Sequence, residues 1–343
     1  MEERLKHDKL LRIFLKFPAV MNIALLTGMT VAFHVFVVSN YYTQYSKRLA
    51  IVLSCMQIFI YTMCMWSLIT IFCNDPGFVP KNLKDLRPEL YQRVKAESNQ
   101  EMGGLHQMNE MTASKRTKTA DLESQDNSAD LESQDLIKTD GSDESTEAQD
   151  KSKKSKKNRK RVSTKERMTR FNYCHDCDNI QPPRAQHCHL CTRCILRHDH
   201  HCPWVGNCVG YNTYKNFFLF LFYTSFGALL GAICYISGWY NGFFGRFPKD
   251  KFTIATAIPT ALSTMTFFSL SMMTFFIGFC IARNLIISEM SYIKGFLSPH
   301  NYSKSTLENI KEVMGDNPLT WFVPQFRIPR NCNGIDYTAN VLD

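Results

Sequence analysis

Residues 174–208 read CHDCDNIQPPRAQHCHLCTRCILRHDHHCPWVGNC and hold seven of the chain's 13 cysteines. The pairs Cys174 and Cys177, Cys188 and Cys191, and Cys191 and Cys194 are each separated by two residues, and histidines lie among them. This spacing is typical of zinc sites, in which thiolates and imidazoles hold the ion. The segment therefore predicts a small domain that folds around metal.

One cysteine of the segment has no place in a pair of zinc sites. Structural zinc takes four tetrahedral ligands, so two Cys₃His sites would use six of the seven cysteines. Counting alone does not identify the seventh. Cys202, however, directly follows Asp199, His200 and His201. A carboxylate that orients an imidazole, which takes the proton of a thiol, generates a nucleophilic thiolate, so we predict that Cys202 is a nucleophile.

Four long apolar blocks flank this segment, two before it and two after it. Each runs for roughly 20 residues or more without Asp, Glu, Lys or Arg, which is enough to cross about 30 Å of hydrocarbon as a helix. The blocks are residues 18–38, 49–72, 216–240 and 255–282. The expected fold is an all-α polytopic membrane protein with four transmembrane helices and a small zinc-bound domain, residues 171–215, between helices 2 and 3.

The distribution of basic residues predicts the orientation of the chain. Residues 1–17 are rich in Lys and Arg, which places the N-terminus in the cytosol, and four spans return the segment 283–343 to the same side. Arg246, Lys249 and Lys251, between the third and fourth blocks, run against this tendency. The cytosol is reducing, so we expect the clustered cysteines to serve metal binding or catalysis and not disulfides. We expect the first block to remain in the mature protein, because it begins too late and is too long for a removable signal peptide.

Residues 81–170 lack apolar periodicity and are rich in Ser, Asp, Glu, Lys and Gln, so we predict a disordered, charged cytosolic insert. Its basic run, KSKKSKKNRKR at 151–161, has the composition of a nucleic-acid-binding or nuclear-localisation segment. The run is tethered between membrane spans, where anionic headgroups are the nearest opposite charge. We therefore expect weak attraction to lipid and no nucleic-acid partner.

The cysteine segment resembles the DHHC domain of the protein S-acyltransferases, also called palmitoyltransferases. The matching residues are Pro183, Arg184, the stretch DHHCPW at 199–204, Asn207, Cys208, Gly210, Asn212 and Phe217. The resemblance implies one zinc held by Cys174, Cys177, His187 and Cys194, and a second held by Cys188, Cys191, His201 and Cys208. It also implies that Cys202 is the acylated nucleophile, His200 the general base and Asp199 the residue that orients it.

Three shorter stretches extend the resemblance beyond the cysteines. Asp75-Pro76-Gly77 is similar to the family's DPG motif, and residues 309–324 are similar to its C-terminal segment, with Asn309 matched and Met314 where an aromatic residue is usual. The family's TTxE motif is represented by Ile286-Ile287-Ser288-Glu289, in which only the glutamate is kept. Hydrogen bonds that the two threonines would make need another source in this chain.

The resemblance implies a transferase with two structural zinc ions. Acyl-CoA would donate a fatty acyl group to Cys202, which passes it to membrane-proximal cytosolic cysteines of substrate proteins. Gly28 and Gly227 either set the depth of an acyl slot or only allow close helix packing. Two other functions stay open: a membrane-anchored zinc scaffold without catalysis, and a RING-like ubiquitin ligase, against which the spare thiol argues. The expected location is the Golgi or the endoplasmic reticulum, with the plasma membrane as the alternative.

Overall fold

The computed structural model describes residues 2–38, 46–103, 170–243, 249–292, 302–329 and 333–335. Its helices are α1 (Glu2–Ala32, continued by a π-helical turn, Phe33–Val38), α2 (Lys47–Cys73), α3 (Leu83–Leu86), α4 (88–103), α5 (Tyr214–Phe243), α6 (Lys249–Ala282) and α7 (Thr306–Met314). Short 3₁₀ turns cover Pro203–Val205, Ile287–Tyr292 and Pro318–Thr320.

Four of these helices are long and apolar enough to cross a membrane. The candidate spans are Lys16–Val38, Lys47–Cys73, Tyr214–Tyr240 and Thr256–Ala282, which confirms the predicted four-span architecture. Helix α5 is the most buried of the four, so it forms the centre of the bundle.

Several hydroxyl side chains within the spans are satisfied by the helix that carries them. The hydroxyls of Thr30, Ser67, Thr224 and Thr274 each donate to the carbonyl four residues earlier, at 2.6–3.0 Å. Such back-bonding removes the cost of a free hydroxyl in hydrocarbon. These serines and threonines are therefore compatible with membrane-spanning helices.

The domain between α2 and α5 consists of three two-stranded antiparallel sheets, so the all-α description does not hold for this part of a mostly helical chain. The strands are β1 (Asn172–Cys174), β2 (Asn179–Gln181), β3 (Gln186–Cys188), β4 (Arg193–Ile195), β5 (His200–Cys202) and β6 (Asn207–Val209), paired in that order. Each strand has three residues, too few for a stable hairpin by itself. The cysteine and histidine side chains are what the three hairpins share.

The prediction of disorder for 81–170 is wrong at its beginning, because α3 and α4 cover most of residues 83–103. Leu83 and Val94 are buried against Ile180 and Leu196 of the cysteine-rich domain. Tertiary packing thus supplies the apolar partner that the local sequence lacks. The rest of the insert, including the basic run at 151–161, lies outside the described residues.

The cysteine-rich domain sits at one end of the helix bundle. Asn22 of α1 donates to the Trp204 carbonyl, Asn207 donates to the carbonyls of Ile71 and Asn74 at the end of α2, and α7 packs near the end of α6. The start of the first span, the cysteine-rich domain and the segment after α6 therefore share one side, as the sequence predicts.

Candidate active site

Strand alternation explains how neighbouring residues reach different centres. Successive side chains of a strand point to opposite faces. His187 and Cys188 are neighbours on β3, and His187 pairs across the hairpin with Cys194 of β4. On β5, His201 pairs with Cys208 of β6, while His200 and Cys202 share the other face. One strand therefore supplies a ligand on one side and an imidazole with a thiol on the other.

The first cluster brings together Cys174, Cys177, His187 and Cys194. The distances from His187 Nδ1 to the three sulfurs are 3.5, 3.3 and 4.0 Å. A tetrahedral zinc with bonds of about 2.3 Å to sulfur and 2.0 Å to nitrogen requires sulfur–nitrogen separations of about 3.5 Å. The side chains therefore fit a zinc ion.

The second cluster brings together Cys188, Cys191, His201 and Cys208. His201 Nδ1 lies 3.8, 3.5 and 3.3 Å from the three sulfurs, and the sulfurs of Cys191 and Cys208 are 3.4 Å apart. The spacing fits zinc as well as that of the first cluster. Both ligand sets have the membership that the resemblance implies, and six cysteines are accounted for.

The first cluster is braced from outside by α3 and α4. Asp178 follows Cys177 directly and accepts hydrogen bonds from Lys84, Tyr91, Lys95 and Tyr173 at 2.6–3.2 Å. These bonds, that of Lys84 foremost, hold the pKa of Asp178 well below its usual range. The carboxylate stays ionised and fixes the turn that carries Cys177.

Cys202, the remaining cysteine of the segment, is buried beside His200 and Asp199. His200 Nδ1 lies 2.8 Å from Asp199 Oδ2, and His200 and Cys202 share one face of β5. The ring of Phe217 meets the His200 ring edge to face at 5.4 Å. Carboxylate, imidazole and thiol therefore lie in the order that activates a thiol nucleophile.

Electrostatics favours a charged imidazole in this arrangement. Burial by itself lowers the pKa of His200, but hydrogen bonds to Asp199 and Cys202, with the negative charges of both, outweigh it and raise the pKa to about 9. A protonated imidazole beside the sulfur stabilises the thiolate, which is the nucleophilic form of cysteine. His200 is thus suited to stabilise negative charge on the neighbouring sulfur of Cys202.

The comparisons with known proteins agree with this geometry. The family model described as DHHC palmitoyltransferase matches residues 167–295. Residues 167–295 are a DHHC domain. The chain is 37% identical over 183 residues to "Probable protein S-acyltransferase 13" of Arabidopsis thaliana, covering 49% of this chain and 58% of that protein.

Two animal relatives match a similar share of the chain. "Palmitoyltransferase ZDHHC2" of Homo sapiens is 33% identical over 177 residues, which cover 48% of this chain and 46% of that protein. "Palmitoyltransferase ZDHHC15" of Mus musculus is 30% identical over 166 residues, covering 48% and 49%. The chain thus spans about half the length of the curated relatives that it matches. The DHHC domain is the part on which the comparison rests.

The segment 286–289 contacts the residues that directly precede β5 in the cysteine-rich domain. The backbone N–H of Ile287 donates to Asp199 Oδ1 at 2.6 Å, and Ser288 Oγ donates to the His198 carbonyl at 3.0 Å. A peptide N–H and a serine hydroxyl thus hold this stretch where the family pattern has threonines. Asp199 has both carboxylate oxygens occupied and is fixed toward His200.

A buried ion pair also holds the segment 286–289 in place, through Glu289. Glu289 accepts two hydrogen bonds from Arg184, at 2.7 and 2.9 Å, and the Arg184 side chain is fully buried. Arg184 Nη1 also donates to Asn284 Oδ1. Asn284 in turn donates to Glu312 of α7. In the sequence, Arg184 and Glu289 are identified only through the family resemblance. No sequence pattern around Asn284 or Glu312 predicts that they take part in this network.

The DPG motif and Gly206 attach the cysteine-rich domain to the ends of α1 and α2. The Asp75 carboxylate accepts from the backbone N–H groups of Gly77 and Phe78, and the Gly77 carbonyl accepts from Leu196 N–H. Gly206, at φ +65°, fits between helices α1 and α2, where a Cβ atom would lie 3.1 Å from Phe72 and 3.2 Å from Ala19. The turn after Cys202 therefore needs glycine for its backbone and for the space.

A small cavity of about 50 Å³ lies between all four spans. Cys64 and Tyr223 line it and also belong to the hydrophobic cluster that contains Cys202. Gly227 lines the cavity, and a Cβ there would come within 3.2 Å of Ile60. Gly28 is not among the lining residues and faces open space. Of the two glycines considered, only Gly227 is placed to set the size of the cavity.

The segment after α6 docks through the residues that the resemblance identifies. Asn309 donates to the Ala282 carbonyl at the end of α6 and accepts from Lys304 N–H. Met314, in place of an aromatic residue, is buried in the cluster that contains Cys202. The flexible thioether thus fills the space of a ring.

Proposed function

We propose that this protein is a protein-cysteine S-acyltransferase that uses Cys202 as its nucleophile and long-chain acyl-CoA as the donor. The observation that carries the proposal is the position of Cys202, outside both Cys₃His clusters and on the same face of β5 as an imidazole that a buried carboxylate orients. The relatives are named as an acyltransferase and a palmitoyltransferase, which supports the proposal.

The first step is acylation of Cys202. Its thiolate attacks the thioester carbonyl of acyl-CoA, the bond between that carbonyl carbon and the CoA sulfur breaks, and the leaving CoA thiolate takes the proton from His200. In the second step a substrate cysteine gives its proton to His200 and attacks the acyl-Cys202 thioester, which releases the Cys202 thiolate. One thioester replaces another, so catalysis consists of positioning and of stabilising the thiolate.

Membrane geometry supports a long acyl chain as the transferred group. Cys202 packs into the apolar cluster that continues, through Cys64 and Tyr223, to the cavity between the spans. Each buried methylene contributes about 0.8 kcal/mol, so apolar space between the spans would favour a long acyl chain over a short one. Substrate cysteines would then be those that reach this end of the bundle, which we infer from the basic flanks to be the cytosolic side.

Both metal clusters are proposed to hold structural zinc. Zinc bound by four protein ligands has no open position for substrate, so its contribution is to fold the three hairpins and to fix β5. The residues that would hold it are Cys174, Cys177, His187 and Cys194 in one site, and Cys188, Cys191, His201 and Cys208 in the other. Residence in the Golgi or the endoplasmic reticulum is part of the proposal.

Incubation with labelled palmitoyl-CoA tests the transferase against the zinc scaffold. The purified protein should acquire a label that hydroxylamine removes, and Cys202→Ser should abolish it. The same variant should keep about two zinc ions per chain, because Cys202 lies in neither cluster. Unchanged labelling of Cys202→Ser would favour the scaffold function.

A further inference from the structure

Residues 317–326 form an apolar turn segment that displays large side chains. The segment has no charged residue, and Asp316 and Arg327 flank it. Leu319 is 88% exposed, Phe322 51% and Phe326 52%. Three large apolar side chains facing outward from one short segment mark a surface that is covered by something other than water.

The backbone of this segment is held by the ends of the spanning helices. Its carbonyls at Thr320, Phe322, Gln325 and Phe326 accept hydrogen bonds, at 2.6–2.8 Å, from Lys215, Tyr223, Asn216 and Asn74 respectively. Lys215 and Asn216 are fully buried by this contact. Irregular backbone survives at membrane depth only where its polar groups are satisfied in this way.

The segment contacts α5 at a depth that lies within the hydrocarbon of the bilayer, as judged from the length of that span. The Phe322 ring stacks on Phe222 at 5.5 Å, and Phe222 stacks on Phe226, which is 49% exposed on the outside of α5. The span Tyr214–Tyr240 has 27 residues, or about 40 Å of helix, for about 30 Å of hydrocarbon. Phe222 lies about 12 Å from the start of that span, hence about 7 Å inside the hydrocarbon of a centred bilayer.

We propose that residues 317–326 insert into the leaflet on the side of the cysteine-rich domain, and that Leu319, Phe322 and Phe326 contact lipid acyl chains. The occupant is lipid because the exposed face of Phe322 continues the outer surface of α5 at Phe226, which the bilayer already covers. The charged flanks mark where the segment enters and leaves the headgroup region. This inference does not depend on the transferase activity.

Site-specific photo-crosslinking tests the contact. p-Benzoylphenylalanine is placed at position 319 or, as a matched control, at position 86, where Leu86 is 67% exposed on α3. The full chain is reconstituted in phosphatidylcholine vesicles with so few copies that most vesicles hold one. After irradiation, mass spectrometry of tryptic peptides should find a phospholipid adduct at 319 and none at 86. No lipid adduct at 319, equal adducts at both positions, or an adduct to a second copy of the chain would overturn the proposal.

Aqueous accessibility provides the second measurement. Leu319→Cys and Leu86→Cys are treated in the same vesicles with a membrane-impermeant maleimide, and the labelled peptide is quantified at each site. Labelling at 86 sets the outward-facing fraction. Labelling at 319 should be lost in vesicles and recovered after denaturation in dodecyl sulfate. Equal labelling at the two positions before denaturation would show that residue 319 faces water, against the proposal.

Discussion

The two Cys₃His clusters have the same composition and comparable distances, yet they lie in different surroundings. The first belongs to a different apolar cluster from Cys202 and is braced by Asp178 and the apolar face of α3 and α4. The second includes His201, which stands between His200 and Cys202 on β5. If both clusters hold zinc as proposed, the same metal chemistry would stabilise the first hairpin in one case and the strand of the proposed nucleophile in the other. The difference indicates that the position of each cluster within the hairpins, and not its ligand type, would decide how it supports the proposed activity.

Cysteine replacement in each cluster gives the largest expected effect. Cys188→Ser should lose the second zinc, unfold β5 and bring acylation of Cys202 to background, because the metal supplies folding energy of about 10 kcal/mol or more in small zinc domains. Cys177→Ser should also lose one zinc but keep measurable acylation, since α3 and α4 still cover the first hairpin. Zinc per chain and hydroxylamine-sensitive label, measured on monodisperse protein, check both. Equal residual activity would remove the proposed distinction.

Breaking the buried ion pair beside the second cluster should have the next largest effect. Glu289→Gln leaves the fully buried Arg184 without its bidentate carboxylate, and removing one partner of such a pair costs about 3 kcal/mol or more. The displaced segment should also loosen the bond from Ile287 N–H to Asp199 and slow acylation. Thermal unfolding in micelles and single-turnover labelling measure the two effects.

The exposed Glu89 offers the matched control for that experiment. Glu89→Gln removes the same charge and should leave both the unfolding temperature and the labelling rate unchanged. If Glu289→Gln behaved in the same way as Glu89→Gln, the buried ion pair would not support the active site.

The brace of the first cluster should matter least for activity and most for metal retention. Asp178→Asn weakens the contact with Lys84 and Lys95 and should release one of two zinc ions several-fold faster to a chelator, with the labelling rate nearly unchanged. Asp85→Asn, at an exposed position on α3, is the control. Faster release of both ions would mean that the two clusters are not independent.

Sequence alone predicts the four spans, the cysteine-rich domain and the spare thiol, because hydrocarbon thickness and ligand number are fixed physical constraints. Strand alternation could also have separated His201 from His200 and Cys202, since the period of two needs only the residue order. The prediction of disorder is wrong at residues 83–103 because it rests on the polar composition of the segment 81–170. Its stability comes from contacts of Leu83 and Val94 with Ile180 and Leu196, far away in the chain.

Other parts of the site depend on contacts that no local pattern reveals. Ile287 serves Asp199 through its backbone N–H, which is present in every residue except proline, so the loss of threonine at this position carries no signal. The pairing of Arg184 with Glu289 joins residues 105 positions apart. Lys215 precedes the third apolar block and Asn216 begins it, a position that gives no sign of burial, whereas both are buried beneath the segment 317–326.

Localisation of the acyl group is the most direct test of Cys202 as the nucleophile outside both metal clusters. Protein loaded with palmitoyl-CoA is digested and its cysteines are read by mass spectrometry, before and after an acceptor peptide with one cysteine is added. We predict acyl on Cys202 alone, transfer of that acyl to the peptide, and about two zinc ions per chain throughout. Acyl found on Cys64 in the cavity, or acylation of Cys202 only after zinc loss, would contradict the proposed role of Cys202.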